Sequence, residues 1–155
     1  MPNYISKLRQ QLNHRQPSKP EHSPYKAPPQ KYGLGAQDPI PPDDTAKIDE
    51  KRVRVVQQVI GGCIYFGRAV DDTILMALSA IASEQAAATE NTERKLLKLL
   101  SYLATHPEAK MRFHASDMIL NVHSNASYLS ETRARSRLAG YFFLDSKIVK
   151  KEKSR

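Results

Sequence analysis

Residues 118–144 read MILNVHSNASYLSETRARSRLAGYFFL, and this segment is the most informative about the architecture of the chain. It contains two apolar runs, residues 118–124 and 138–144, and a polar segment rich in Ser, Thr and Arg between them. Short apolar runs that are bounded by turn-forming residues predict β-strands. We therefore expect an antiparallel hairpin here, preceded by a further strand over residues 111–115, which a turn at Ser116 and Asp117 joins to it.

Upstream of the hairpin, apolar residues recur at helical spacing in three segments. Residues 48–69 carry one apolar face, although the β-branched run over residues 53–60 leaves a strand as the alternative. A second helix is expected after a cap at Asp71 or Asp72, and a third from residues 89–92 to Ala104, where His106 and Pro107 stop it. The residues expected to face the core are Val53, Val56, Ile60, Cys63 and Ile64 in the first helix, Ile74, Leu78, Ile81 and Ala82 in the second, and Leu96, Leu99, Leu100 and Leu103 in the third.

Residues 1–46 form a segment that holds nine of the ten prolines of the chain. Proline excludes regular helix and favours extended backbone. Only the start, where Ile5, Leu8 and Leu12 recur at spacings of three and four, is expected to form a short helix. Tyr25 and Tyr32 lie among lysines, a pattern that fits either base stacking on nucleic acid or anchoring of the arm on a protein surface.

Composition narrows the classes of function. The net charge of +8 over 155 residues favours an anionic partner such as nucleic acid, and a merely solvated basic surface is the alternative. Cys63 is the single cysteine, so neither an internal disulfide nor a Cys-based zinc site is expected. The histidines show no metal-ligand spacing, and Gly61 with Gly62 lacks the longer spacing of a phosphate loop and is expected to permit close approach of another element. Without a signal peptide or membrane span in the sequence, we expect an intracellular protein of the cytoplasm or nucleus with no membrane partner.

Five groups of residues together resemble one family, the reverse transcriptases of copia-like or related retroelements. Residues 124–128 (SNASY) and 140–144 (GYFFL) resemble the opening hairpin of that family's ribonuclease H domain, where a Ser-Asp-Ala strand end is followed by a returning Gly-Tyr-Phe-Phe-Leu strand. Residues 59–71 (VIGGCIYFGRAVD), 99–107 (LLSYLATHP) and 114–118 (HASDM) are similar to the thumb and connection region that precedes it. The resemblance covers nearly the whole chain, and its combined order is more specific than any one motif.

The resemblance implies a catalytic site and, at the same time, its loss. The family's ribonuclease H domain uses several carboxylates to hold two Mg²⁺ ions, which clamp the attacking water and the leaving oxygen of a phosphodiester. Asn125 stands where the first of those aspartates is expected, and an uncharged amide holds a hard cation poorly. The remaining carboxylates and the polymerase aspartates are not expected within the chain. We therefore predict no catalytic residue, no bound metal and no cofactor.

The combined prediction is an α+β fold in four parts: a Pro-rich arm over residues 1–46, a helical thumb-like or connection-like unit over 47–107, a ribonuclease H-like hairpin over 108–146 and a basic tail over 147–155. The predicted function is that of a catalytically inactive fragment of a retroelement reverse transcriptase and ribonuclease H polyprotein, with weak, non-specific affinity for an RNA/DNA hybrid or another duplex. The alternative is an interaction protein that docks on a longer polymerase chain through the open apolar edge of the hairpin. The residues expected to contact phosphates are Lys95, Lys98, Arg133, Arg135 and Arg137.

Overall fold

The structure, a computed structural model, describes residues 3–27, 41–127 and 135–146. The described residues divide into two compact units, a helical unit of residues 3–27 and 43–111 and a hairpin unit that includes residues 112–127 and 135–146. The predicted α+β class is confirmed. The predicted basic tail, Tyr32 and Arg133 lie outside the described residues. Within the described ranges, every helix is too short or too polar to cross a membrane.

The described part of the helical unit contains four α-helices, all of them predicted from the apolar spacing. Helix α1 spans Tyr4–Gln11, α2 spans Glu50–Ala69, α3 spans Leu75–Ala82 and α4 spans Glu90–Thr105. Side chains cap α2, α4 and the short 3₁₀ turn of residues 72–74 that precedes α3, because the first backbone N–H groups of a helix have no partner inside it. Asp49 accepts a hydrogen bond from the Arg52 N–H, Asp71 accepts one from the Thr73 N–H, and Thr89 forms a capping box with Thr92.

The core of the helical unit lies where the apolar faces of the helices meet. The alternative of a strand over residues 53–60 is excluded, since this run is helical throughout. The prediction is wrong for Ile64, which is 41% exposed. At 100° per residue it lies at the edge of the buried stripe of α2, outside the surface that the neighbouring helices cover. The largest fully buried side chains are Ile5, Ile74, Leu78, Ile81, Leu99, Leu103, Val56, Val59, Thr92 and Cys63.

Helix α1 packs closely on α2 at Gly62, as the glycine pair predicted. The Tyr4 hydroxyl donates a hydrogen bond of 2.7 Å to the Gly62 carbonyl oxygen. A Cβ atom at Gly62 would lie 3.4 Å from Leu8 Cδ1, in ordinary van der Waals contact, so Leu8 of α1 packs directly against α2 at this position. Gly61 has no neighbouring atom within 4 Å of its Cβ position and is not part of this contact.

Substitutions at two glycines of α2, Gly61 and Gly67, are expected to change the free energy of unfolding in opposite directions. Gly61→Ala should raise the free energy of unfolding by about 0.5–1 kcal/mol, because alanine is the better helix former and the site is open. Gly67→Val should lower it by about 1–3 kcal/mol, since a Cβ atom there would lie 3.0 Å from Leu75 Cδ2 and 3.2 Å from Ile74 Cγ1. Urea unfolding followed by helical circular dichroism measures both. A loss of stability in Gly61→Ala would contradict the open site at Gly61, and a gain in Gly67→Val would contradict the packing at Gly67.

The N-terminal extended segment, residues 12–27, differs from the predicted separate arm because it packs on the helices. The Glu21 N–H donates to Thr105 Oγ1 at 3.0 Å, and the Glu21 carboxylate pairs with Lys98 Nζ at 2.7 Å. The Tyr25 ring packs against the core. Of the two interpretations of Tyr25, the structure therefore shows the anchor on a protein surface. The predicted domain boundary at residue 46 does not hold for residues 3–27, because these contacts offset the entropy cost of ordering the segment.

The hairpin unit consists of two antiparallel strands, β1 (Ile119–Ala126) and β2 (Leu138–Asp145). Their register runs from the pair Ile119 and Asp145 to the pair Ala126 and Leu138. The predicted hairpin is confirmed. The predicted strand over residues 111–115 is wrong, since the described residues 106–118 contain no strand and Phe113 is 87% exposed. A short apolar run becomes a strand only where a neighbouring strand supplies hydrogen bonds.

Candidate functional site

The register of the hairpin divides its side chains between two faces, because successive residues of a strand point to opposite sides. We call one side the apolar face and the other the mixed face. The apolar face carries Leu120, Val122, Ser124, Ala126, Leu138, Gly140, Phe142 and Leu144. The mixed face carries Ile119, Asn121, His123, Asn125, Ala139, Tyr141, Phe143 and Asp145.

The apolar face presents five large side chains to solvent and carries no charged residue. The exposed fractions of Leu120, Val122, Leu138, Phe142 and Leu144 range from 49% to 78%. The Phe142 ring lies over Gly140, where a Cβ atom would approach it to 2.9 Å. Side chains of this size and exposure amount to roughly 500 Å² of apolar surface, which is the size of patch that marks interaction sites on monomers. A two-stranded hairpin is marginal by itself, so this face gains most from a protein cover.

The mixed face combines aromatic rings with Asn125, the residue at the expected aspartate position. Asn125 is exposed and lies opposite Ala139. The ring centroid of Phe143 is 5.4 Å from that of His123 and 5.2 Å from that of Tyr141. The Phe143 ring is tilted by 39° to the His123 ring and by 33° to the Tyr141 ring, so the three rings form an aromatic cluster on the face of Asn125 rather than a flat stacking surface.

Carboxylates lie far from Asn125 within the described hairpin unit. Asp145 is opposite Ile119, six positions along the strand from Asn125, which corresponds to about 20 Å. Its side chain accepts a hydrogen bond of 2.7 Å from the Ser146 N–H. Asp117 precedes the same end of the strand pair. The described residues of the hairpin unit therefore bring no carboxylate to the Asn125 end of the strands, whereas two-metal chemistry needs several.

The two lysines predicted to contact phosphates are engaged inside the helical unit. Lys95 Nζ donates to Glu84 Oε1 at 2.5 Å, and Lys98 Nζ lies 2.7 Å from Glu21 Oε1. The hydrogen bond from Lys98 lowers the pKa of the Glu21 carboxyl below its ordinary value. Both lysines also line a cavity of about 140 Å³ between the extended segment, α3 and α4. A phosphate group would have to compete with these carboxylates for either ammonium.

The arginines belong to the other unit, at the end of the hairpin where β2 begins. Arg135 is exposed and Arg137 is half-buried, whereas Arg133 lies outside the described residues. The Arg137 backbone exchanges hydrogen bonds with Ser127, its N–H donating to Ser127 Oγ at 2.9 Å and its carbonyl accepting from the Ser127 N–H at 2.8 Å. Arg135 and Arg137 thus belong to the hairpin unit, whereas the two lysines predicted with them belong to the helical unit.

The remaining polar groups include one pairing that the sequence did not reveal. His22 and His106 are 84 positions apart, and their ring nitrogens lie 3.2 Å from each other. Cys63, in contrast, is fully buried, as its position on the apolar face of α2 predicted, and burial raises the pKa of its thiol to about 12. A protonated, buried thiol is a poor nucleophile, so Cys63 is a core residue.

Comparison of the chain with protein-family models, with curated proteins and with solved structures found no match. Its own residues therefore carry the functional conclusion. The exposed features of the described hairpin residues are the apolar face, the aromatic cluster on the face of Asn125 and the Arg135 side chain that precedes β2. These are features suited to contact, and the most extensive of them is apolar.

Proposed function

We propose that this chain is a catalytically inactive derivative of a retroelement reverse transcriptase and ribonuclease H polyprotein, and that it acts by docking on a longer polymerase chain. The observation that carries the proposal is the apolar face, on which Phe142 and Val122 form the central cross-strand pair. Both side chains are at least half exposed. The proposed descent rests on the resemblance over residues 59–71, 99–107, 114–118, 124–128 and 140–144. The sequence-based alternative is thus the function that the geometry supports best.

The proposed partner is a protein because of the chemistry of the apolar face. An uncharged surface gains free energy by contact with another apolar surface, at about 25 cal/mol per Å² removed from water. Contact with phosphate groups would leave the five large apolar side chains exposed to water. Among the described residues each strand of the hairpin pairs only with the other, and an unpaired outer edge also offers backbone N–H and C=O groups that could extend a sheet of the partner. A longer chain with a ribonuclease H-like sheet fits both requirements.

Docking and phosphate binding respond differently to salt, which gives the experiment for this proposal. The labelled full-length chain is titrated with the reverse transcriptase and ribonuclease H chain of the same genome, at about 50 mM and about 500 mM salt. Burial of an uncharged surface predicts dissociation constants within a few-fold of each other at the two salt concentrations. Absence of binding, or a loss of affinity with salt as steep as that for a duplex, would reject docking through the apolar face.

The proposed lack of catalysis leads to a prediction for the purified chain. We expect no hydrolysis of the RNA strand of an RNA/DNA hybrid with Mg²⁺ or Mn²⁺, because Asn125 supplies no charge for the metals. Asn125→Asp should be equally inactive, since Asp145 lies at the opposite end of the strand pair. Gel analysis of labelled RNA measures this, with an active ribonuclease H as the positive control. Metal-dependent cleavage above a mock preparation would contradict the proposal.

Weak duplex binding is the second candidate function, and the exposed Arg135 in a chain of net charge +8 favours it. If about five phosphates are contacted, the slope of log affinity against log salt should be about −3 to −5. Replacing Arg133, Arg135 and Arg137 together with alanine should flatten the slope by about two to three units. The double variant Lys95→Ala and Lys98→Ala is the matched control, and its slope should change by less than about one unit, because these lysines pair with carboxylates.

Fluorescence anisotropy with a labelled hybrid at several salt concentrations gives these slopes. A slope near zero for the unmodified chain would reject duplex binding. A larger change in the lysine variant than in the arginine variant would place the contact on the helical unit instead.

A further inference from the structure

The contact between His22 and His106 joins two parts of the helical unit that are distant in sequence. His22 belongs to the extended segment, and His106 is the first residue after α4. Nδ1 of His22 and Nε2 of His106 are 3.2 Å apart, and the ring planes are tilted by 58°. Both side chains are exposed, so an ion reaches them from solvent without any rearrangement of the core.

The backbone on each side of the histidine pair is fixed by other contacts. The His106 N–H donates to the Tyr102 carbonyl at 2.8 Å, and the two rings lie 4.9 Å apart. His22 follows Glu21, whose backbone and carboxylate are bound by Thr105 and Lys98. The two imidazoles therefore stay close together whether or not they contact each other. Preorganisation of this kind lowers the entropy cost of binding a common ligand.

We propose that His22 and His106 chelate a divalent transition-metal ion of the zinc, nickel or copper class. Imidazole nitrogens lie about 2.0–2.1 Å from such an ion. Two nitrogens at this distance from one ion and 3.2 Å from each other subtend an angle of about 100°, which lies between square-planar and tetrahedral geometry. In the N–H···N contact one of these two nitrogens carries the proton; on metal binding that ring takes its other tautomer, with the proton on its second nitrogen, and rotation of the exposed rings directs both lone pairs to the ion. Imidazole suits these metals and does not suit Mg²⁺ or Ca²⁺.

The site is an open one with two protein ligands. In the part of the chain that the structure describes, no three His, Cys, Asp or Glu side chains converge on a point. The nearest carboxylate in sequence, Glu21, is already bound to Lys98 and to the Ser23 N–H. Water completes the coordination, which limits affinity and leaves the ion exchangeable. Because its two ligands come from the extended segment and from the end of α4, the ion fastens the segment to the helices.

Thermal unfolding of the full chain with Zn²⁺, Cu²⁺ or Mg²⁺ tests the proposal, because an ion that binds the folded state alone raises Tm. We expect Zn²⁺ to raise Tm by about 3–6 °C, Cu²⁺ to act at lower concentration, and Mg²⁺ to have no effect. His22→Gln and His106→Gln should each remove the shift. His114→Gln is the control and should keep it, since His114 is an exposed histidine of the other unit.

Calorimetric titration with Zn²⁺ should show one site in the unmodified chain and none in either variant of the pair. The visible absorption of bound Cu²⁺ gives an independent record of nitrogen ligation. The proposal is overturned if neither Zn²⁺ nor Cu²⁺ binds, or if the double variant His22→Gln and His106→Gln retains the zinc site.

Discussion

Replacing Val122 and Phe142 together with aspartate is expected to weaken binding of the longer polymerase chain by at least about 100-fold. The two residues face each other across the strands at the centre of the apolar face. Docking would bury two carboxylates without partners, and burial of an unpaired charge costs several kcal/mol. Both positions are at least half exposed in the unbound chain, so the variant should fold as the unmodified protein does.

The neighbouring pair on the mixed face provides the matched control for this experiment. His123 and Tyr141 also face each other across the strands, one position further along, and they point to the opposite side. The double variant His123→Asp and Tyr141→Asp adds the same charges to the same strands and should bind the polymerase chain within a few-fold of the unmodified protein. Calorimetry of both variants decides the matter: equal loss in the two would show a global effect of charge rather than docking through the apolar face.

The second large effect concerns stability. Leu103→Ala is expected to lower the free energy of unfolding by about 3–4 kcal/mol, because it leaves a cavity in the core. The Leu103 side chain is completely buried, near the C-terminal end of α4. Leu97→Ala, on the same helix but 49% exposed, is the control and should cost less than about 1 kcal/mol. Urea unfolding followed by helical circular dichroism measures both, and similar losses would contradict the orientation of α4.

The helices could be predicted from the sequence because local signals agree along each of them. In α4 the apolar spacing of Leu96, Leu99 and Leu103, the Thr89 cap and the stop at Pro107 all indicate the same element. Agreement of this kind between propensity, pattern and caps is what makes a segment predictable. The hairpin was predictable for a similar reason, since two runs of strand-forming residues, 118–124 and 138–144, flank a polar segment of the sequence.

The errors arose where structure depends on contacts between distant residues. Residues 111–115 have strand composition but no partner strand among the described residues, and hydrogen bonds from a neighbour decide whether such a run is a strand. The extended segment looked like a separate arm, because its pairing of Glu21 with Lys98 spans 77 positions and leaves no periodic signal. The contact between His22 and His106 spans 84 positions and was not predicted for the same reason. The pairing of Lys95 with Glu84 spans 11 positions but joins α4 to the turn after α3, so no spacing rule indicates it.

Docking through the apolar face can be followed by the alkylation rates of single cysteines placed on the two faces of the hairpin. Val122→Cys and His123→Cys place thiols on adjacent residues that point to opposite sides. The native Cys63 gives little background, because it is buried and burial raises its pKa to about 12. We predict that the polymerase chain slows alkylation of the Val122→Cys thiol at least about 10-fold and leaves the His123→Cys thiol within about two-fold of its free rate. An unchanged alkylation rate at Val122→Cys in the presence of saturating polymerase chain would rule out docking through the apolar face.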